Sequence, residues 1–410
     1  MASHEAEFCR TARNMAENDL ALGDIRVLDI SEGVSGPFCA KLLAGLGAEV
    51  IKVEKPGSGD SSRMAQPFLN DEPHKEKSAL FLYLNTGKKS VTLDLESQKG
   101  ASILRRLVQE CDILVESFPV GYMKQIGLGY DSLGELNPEL IYTSITPFGQ
   151  TGPYRDYKGS DIVIQAIGAL MHTIGLPERE PLKIGGNVAL YTVGISAFSG
   201  AMLALHVRDT EGHGQHVDIS AMETITVTQI HSSIHHQFGR TTERRESALV
   251  KAIDGWVSPG LEIGVQEDVW AKVCDLMGVP ELADDPAFNS REARREHQQD
   301  VLAIVGDWAA TRTKEEIYHA LQGLRTISGY VATVEDLFKS EQFVFRKFFQ
   351  PIEHPFAGEA MYPGAPINIE GETWQQSRAP LLGEHNDEVY RDKLGFSAEE
   401  LANLSSKGVI

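Results

Sequence analysis

Ile25-Arg26-Val27-Leu28-Asp29-Ile30, then Gly33-Val34-Ser35-Gly36, then Pro37 to Leu46, then Val50-Ile51-Lys52-Val53-Glu54 form the passage that decides the fold. Its first and last pieces are short apolar runs of strand length, and the piece between them has a helical composition. Pro37 suits a first helical turn because it has no N–H to leave unpaired. Strand, glycine loop, helix and strand in this order make a βαβ unit, so the passage predicts a parallel sheet and an α/β fold.

The glycines do not follow the spacing of the dinucleotide fingerprint, although Glu54 ends the second strand at a distance that suits a ribose contact. No nicotinamide site is expected. The loop Gly33 to Gly36 fits two roles equally, backbone donors for a nucleotide phosphate or a tight turn that needs glycine.

Working outward, Leu80–Leu84 and Val91–Leu95 flank Asn85-Thr86-Gly87-Lys88-Lys89, which reads as a hairpin-like connection with two exposed lysines. Helix Lys99–Glu110 and strands Ile113–Val115 and Leu140–Ile145 continue the alternation, followed by long helices over Ile162–Ile174 and Thr192–Arg208 and a strand at Val217–Ser220. Helices at Glu267–Met277 and Gln299–Thr311 suggest a smaller second domain, and Ser397–Lys407 is helical again.

A chain of 410 residues exceeds one compact core and suggests two or three domains. The uncharged stretch Ile184 to Val207 is diluted by Asn187, Ser196, Ser199, His206 and several glycines, which favours a buried helix over a membrane span. Met1 to Leu22 lacks the basic flank and apolar centre of a secretion signal and reads as an extension. Cys9, Cys39, Cys111 and Cys274 show neither close pairing nor metal spacing, which fits inert thiols in a reducing cytoplasm. A formal charge of −20 argues against a surface that collects nucleic acid phosphates. No metal and no permanently bound cofactor are expected.

Residue blocks from about Ile25 to the C-terminus resemble the class III coenzyme A (CoA) transferases, the formyl-CoA and carnitine-CoA transferase type. They include Leu46-Gly47-Ala48-Glu49-Val50-Ile51-Lys52-Val53-Glu54, Lys88-Lys89-Ser90-Val91-Thr92-Leu93-Asp94-Leu95, Gly127-Leu128-Gly129-Tyr130, Phe148-Gly149-Gln150-Thr151-Gly152-Pro153-Tyr154, Gly212-His213-Gly214-Gln215-His216-Val217-Asp218 and Ala379-Pro380-Leu381-Leu382-Gly383-Glu384-His385. The resemblance implies a large Rossmann-like domain built from both chain ends, a smaller central domain, and two subunits threaded through each other as an interlocked ring dimer. After an extension at 1–22, the domain limits expected are 23–222 for the first part of the large domain, 223–335 for the small one and 336–410 for the return.

In that family an aspartate carboxylate attacks the acyl-CoA thioester, in a segment resembling Gly-x-Pro-x-x-Asp-x-x-x-Gly. Here the segment reads Gly185-Gly186-Asn187-Val188-Ala189-Leu190-Tyr191-Thr192-Val193-Gly194, so Leu190 stands at the nucleophile position and no catalytic residue is assigned. Glu178 and Glu180, the only carboxylates between Asp161 and Asp209, read as a solvated turn. Asp161 matches an auxiliary acidic position, but an ordinary helix N-cap is the favoured reading. Related racemases place a histidine before that acid; Ser160 stands there, so the pair cannot be assembled and racemisation is the weakest reading. By the same resemblance Lys55, Phe118 and Lys158 match CoA contacts. Glu116-Ser117-Phe118-Pro119-Val120-Gly121 replaces a block that often reads Glu-Asn-Phe-Arg-Pro-Gly, with loss of an amide and a charge.

The resemblance and the missing aspartate together imply a non-nucleophilic subunit of a heteromeric transferase, with a homologous chain supplying the aspartate. Substrates would be a CoA thioester and a carboxylic acid, with succinyl-CoA and benzylsuccinate of anaerobic toluene degradation as the suggested pair. The alternative is a catalytically inactive CoA-binding or regulatory homodimer of the same fold.

Overall fold

The deciding passage folds as β1 (Arg26–Asp29), α1 (Ser35–Gly45) and β2 (Glu49–Glu54), with β1 and β2 paired in parallel. The structure is a computed structural model and describes residues 20–239, 248–260, 267–370 and 374–410. Most of the expected extension over 1–22, and Cys9 with it, lies outside the described residues.

Strands β3 (Lys89–Thr92), β4 (Ile113–Glu116), β5 (Ile141–Thr146) and β6 (His216–Ser220) complete a six-stranded sheet in the order β3-β2-β1-β4-β5-β6, with every neighbouring pair parallel. Every residue of β4 and β5 is buried, the condition under which a parallel sheet is covered on both faces. Strand order reverses between β1 and β4, which makes their carboxyl ends a topological switch point.

Helices α2 (Ala79–Leu84), α3 (Gln98–Val108), α4 (Asp161–Ile167) and α5 (Val188–Glu211) join α1 around this sheet. One face of the sheet, with Leu28, Leu114 and Tyr142, packs on Ile103 and Leu104 of α3. The other, with Val27, Ile113 and Ile141, packs on α1 and α5 through Leu43, Val193, Ala197 and Ala201. Helix α5 is long and apolar enough to cross a membrane by length and composition, and Val193, Ala197 and Ala201 bury one face of it against α1 and the sheet. Its close approach to α1 depends on Gly194, where a Cβ would stand 2.7 Å from the Ser35 carbonyl oxygen.

The structure corrects several sequence expectations. Leu80–Leu84 is helical, not a strand, because Ser78 caps α2 by accepting the Phe81 N–H at 3.3 Å. The following strand runs parallel to β2, so no hairpin forms. Lys88 is buried and Lys89 half-buried, each bonded to carboxylates, Lys88 to Asp29 and Lys89 to Glu49 and Glu388, so neither is a free surface lysine. The helix expected over Ile162–Ile174 ends at Ile167, with a separate short turn at Met171–Thr173.

The open edge of β3 is covered by the distant C-terminal segment. The Ser90 N–H donates to His385 Nδ1 at 3.2 Å and the Thr92 N–H to Asn386 Oδ1 at 2.8 Å, while the His385 N–H returns a bond to Ser90 O at 2.9 Å. Tyr390 adds its hydroxyl to Thr92 O at 2.8 Å.

The chain divides into two compact units. One holds the described residues of Met1–Gly175, Pro181–Glu243 and Lys347–Ile410, the other those of Leu176–Glu180 and Arg244–Arg346, limits that differ from the 223–335 expected for a small domain. The second unit contains an antiparallel sheet of β7 (Val250–Lys251), β8 (Trp256–Ser258) and β9 (Gly329–Tyr330), with a core around Trp270, Val305 and Leu321.

Candidate active site

Open parallel sheets bind ligands beyond the carboxyl ends of their strands, where the order reverses. A cleft of about 320 Å³ lies there, reached by Ile30 after β1, Lys55 after β2, Asp94 after β3 and Phe118 after β4. Lys55 is exposed, and the half-buried Phe118 ring lies 4.9 Å from that of Tyr122. Two of the three residues matched to CoA contacts therefore share one cleft. Lys158 is exposed in the loop after β5 and does not line it.

The cleft's electrostatics restrict what it can hold. Glu32, Glu54, Asp94 and Glu96 also line it, and Lys55 is its single cation among the described residues. Burial, assisted by Asp60, raises the Glu32 pKa above its ordinary value. An anionic group would have to sit at the Lys55 rim, leaving the Phe118 wall for an apolar or aromatic part. Glu54, placed by sequence near a ribose, is unavailable: it is 3 % exposed and grips Arg63 through both oxygens, at 2.6 Å and 2.9 Å. The glycine loop belongs to the same support, because the Gly33 N–H donates to Asp60 Oδ1 at 3.2 Å, a tight turn rather than free donors.

Under the cleft lies a buried charge network that sequence reasoning missed. Lys52 reaches Asp60 at 2.8 Å and Asp29 at 3.6 Å, and Lys88 reaches Asp29 at 2.8 Å, all four side chains being essentially inaccessible. Lys52 also donates to the Ser31 carbonyl at 2.7 Å, which fixes the loop into α1. Burial alone would push the Asp29 carboxyl up, but Lys52 and Lys88 outweigh it and hold it below the ordinary 3.8. A charged residue within or closing an apolar strand, Lys52 inside β2 and Asp29 and Glu54 at strand ends, was the available signal.

Leu190 lies in the first turn of α5, half-buried among apolar neighbours on both of its sides, and its carbonyl accepts the Ser35 hydroxyl at 2.9 Å. A hydrocarbon side chain has no lone pair to attack a thioester. Asp161 is not an N-cap: Ser160 holds that position without a side-chain bond. Instead Asp161 pairs with Lys183 and accepts from Gln165 Nε2 at 3.0 Å, while Gln165 Oε1 accepts the Ile184 N–H at 2.9 Å. This network ties the start of α4 to the segment leading into Leu190. Glu178 and Glu180 are exposed, and both fall in the stretch that groups with the second compact unit.

Known proteins resemble this chain over nearly its whole length. The profile of CoA-transferase family III matches residues 22–386. The succinyl-CoA–D-citramalate CoA-transferase of Chloroflexus aurantiacus is 33% identical over 400 residues, covering 95% of this chain and 98% of that protein. The formyl-CoA:oxalate CoA-transferase of Streptomyces avermitilis is 33% identical over 413 residues, covering 95% and 99%. A crystal structure of a CaiB/BaiF family protein from Brucella suis superposes with a TM-score of 0.81 at 29% identity, covering 92% of this chain and all of that one. The chain belongs to CoA-transferase family III. Members of that family take CoA thioesters as substrates.

Proposed function

We propose that this chain is the non-nucleophilic subunit of a heteromeric class III CoA-transferase, which moves CoA between carboxylic acids only when a homologous chain supplies the aspartate. The observation that carries the reading is Leu190, in the first turn of α5 where the nucleophile is expected. Side chains on one face of α5, Val188, Ile195 and Leu203, are 47 to 68 % exposed, which supports burial of that face by a second chain in an interlocked dimer. Lys55 and Phe118 support a CoA site in the switch-point cleft, with Lys158 a further contact from outside it. Asp161, paired with Lys183, acts in this reading as a support for the Leu190 segment.

For substrates, the named relatives act on citramalate and oxalate, both dicarboxylic acids, and one uses succinyl-CoA. That supports succinyl-CoA as donor and a dicarboxylate such as benzylsuccinate as acceptor, which would place the enzyme in the cytoplasmic degradation of toluene. The second reading, an inactive CoA-binding or regulatory homodimer, draws on the same leucine.

Native mass spectrometry with a succinyl-CoA-dependent transfer assay separates the readings. The isolated chain is expected to show no transfer, and co-expression with an aspartate-bearing homologue to give an active mixed dimer. Transfer by the isolated chain would sink the proposal, and an inactive homodimer that ignores the homologue would favour the second reading. Lys55→Ala is expected to weaken CoA binding by up to about fivefold, the scale of an exposed charge pair, with a smaller loss in added salt. Titration calorimetry at two ionic strengths reads both effects.

A further inference from the structure

On the sheet face opposite the one that packs against Leu190, three strands bring together polar groups that lie outside the cleft. The register sets Glu116 beside Ser144 and Ser144 beside Asp218. Side-chain alternation puts them on the face of Leu114 and Tyr142. Ser144 Oγ lies 2.9 Å from His216 Nε2, and the same hydroxyl bonds the Glu116 carboxylate.

A hydroxyl both donates and accepts, so this chain of groups has two proton arrangements. In one, His216 Nε2–H donates to Ser144 and Ser144 to ionised Glu116. In the other, Nδ1 has taken a proton from the cavity, the Nε2 proton has passed to Ser144 Oγ and the Ser144 proton to Glu116, which now donates to the hydroxyl while His216 stays neutral with its proton on Nδ1. Glu116 has a second bond: its Oε2 accepts the Phe118 N–H at 2.7 Å. A polar cavity of about 460 Å³ is lined by Glu116, Ser144, His216 and Pro119, and Pro119 also lines the cleft that contains Phe118. Glu116, only 3 % exposed, lines the first hollow, and the Phe118 whose N–H it accepts lines the second.

We propose that Glu116 is a positioning residue of the CoA cleft: ionised, it anchors the Phe118 main chain, and a proton delivered through His216 and Ser144 weakens that anchor and lowers the affinity for CoA. The inference rests on the CoA reading of the Lys55–Phe118 cleft. Burial pushes the Glu116 carboxyl up to about 7, with Asp218 assisting and the bonds from Ser144 and Phe118 opposing. Burial likewise lowers the His216 pKa, against Asp218 and Asp131. The remaining charges on the cavity are paired on its rim, Lys124 with Asp131 and Arg155 with Asp156. An ionised acceptor holds an N–H more strongly than a neutral one, so the anchor is complete above about pH 7 and fades as pH falls through that value.

Two readouts on the full chain test this. Hydrogen exchange of the peptide over 116–122 without CoA, corrected for intrinsic rates, is expected to show about fivefold less protection at pH 6 than at pH 8, the difference between a charged and a neutral acceptor. CoA binding by calorimetry is expected to weaken by a similar factor, beyond the phosphate titration seen equally in any variant. Glu116→Gln should remove both dependences, and Ser144→Ala should move the transition to higher pH because it deletes a bond that favours the anion. Wild-type pH dependence in Glu116→Gln overturns the proposal. A pH-dependent exchange with pH-independent CoA affinity overturns the link to the cleft. A pH-dependent exchange with no CoA binding at either pH overturns the CoA reading itself while supporting the anchor on Phe118.

Discussion

Lys52→Met is expected to lower the unfolding free energy by about 3–5 kcal/mol, the scale on which removal of one partner from a buried ion pair is felt. The size comes from what stays behind. Asp29 and Asp60 remain sealed under the cleft with Lys88 as the only cation of the original pair beside Asp29. Methionine fills nearly the same volume, so a cavity contributes little and the loss reports charge. The bond from Lys52 to the Ser31 carbonyl also disappears, which frees the loop before α1. Denaturant titration at pH 7 reads the effect. The deficit should narrow once pH falls below 3.8, the ordinary value under which Asp29 is held in the wild type, because stability from a depressed carboxyl exists above its unfolded value and fades as acid protonates it. A loss below about 1 kcal/mol would show that the stranded carboxylates find protons or water at little cost.

The second large effect is expected at Gly194. Leucine there should destabilise the large unit by about 3 kcal/mol or more, at the upper end for overpacking, because the first added atom already meets the Ser35 carbonyl at 2.7 Å and Phe38 Cδ1 at 3.1 Å. Alanine provides a graded control: it meets the same oxygen but regains up to about 1 kcal/mol of helix propensity, so its net loss should be much smaller. The clash pushes α5 away from α1 and breaks the bond between Ser35 and the Leu190 carbonyl, so the damage reaches the nucleophile position as well. Thermal and denaturant midpoints of the two variants decide it, and a leucine variant as stable as the wild type would mean that α1 and α5 separate freely.

Local patterns in the sequence carried much of the fold. The βαβ passage was legible because β1 and β2 are apolar runs buried on both faces, punctuated by glycine and Pro37. Leu80–Leu84 misled because a short apolar run has no period of its own, and Ser78, a capping residue three positions before Phe81, was the overlooked arbiter. Asp161 misled for a different reason. Its partner Lys183 lies 22 positions on, beyond any local rule, and the neighbouring Ser160 satisfied the same capping preference. Within the site, Lys55 and Phe118 came from resemblance and fall in one cleft, whereas Glu116, Ser144 and His216 come from three strands and meet only once the sheet is assembled.

The seal over β3 has a consequence for how the protein is made. Ser90 and Thr92 receive their edge partners from His385, Asn386 and Tyr390, about three hundred positions later. Throughout synthesis, then, the nascent sheet carries an unpaired strand edge of the kind that templates association between chains. Ribosome-bound intermediates should need a chaperone to shield that edge, and a premature stop before Gly383 should yield insoluble polypeptide even though every strand of the sheet has been translated.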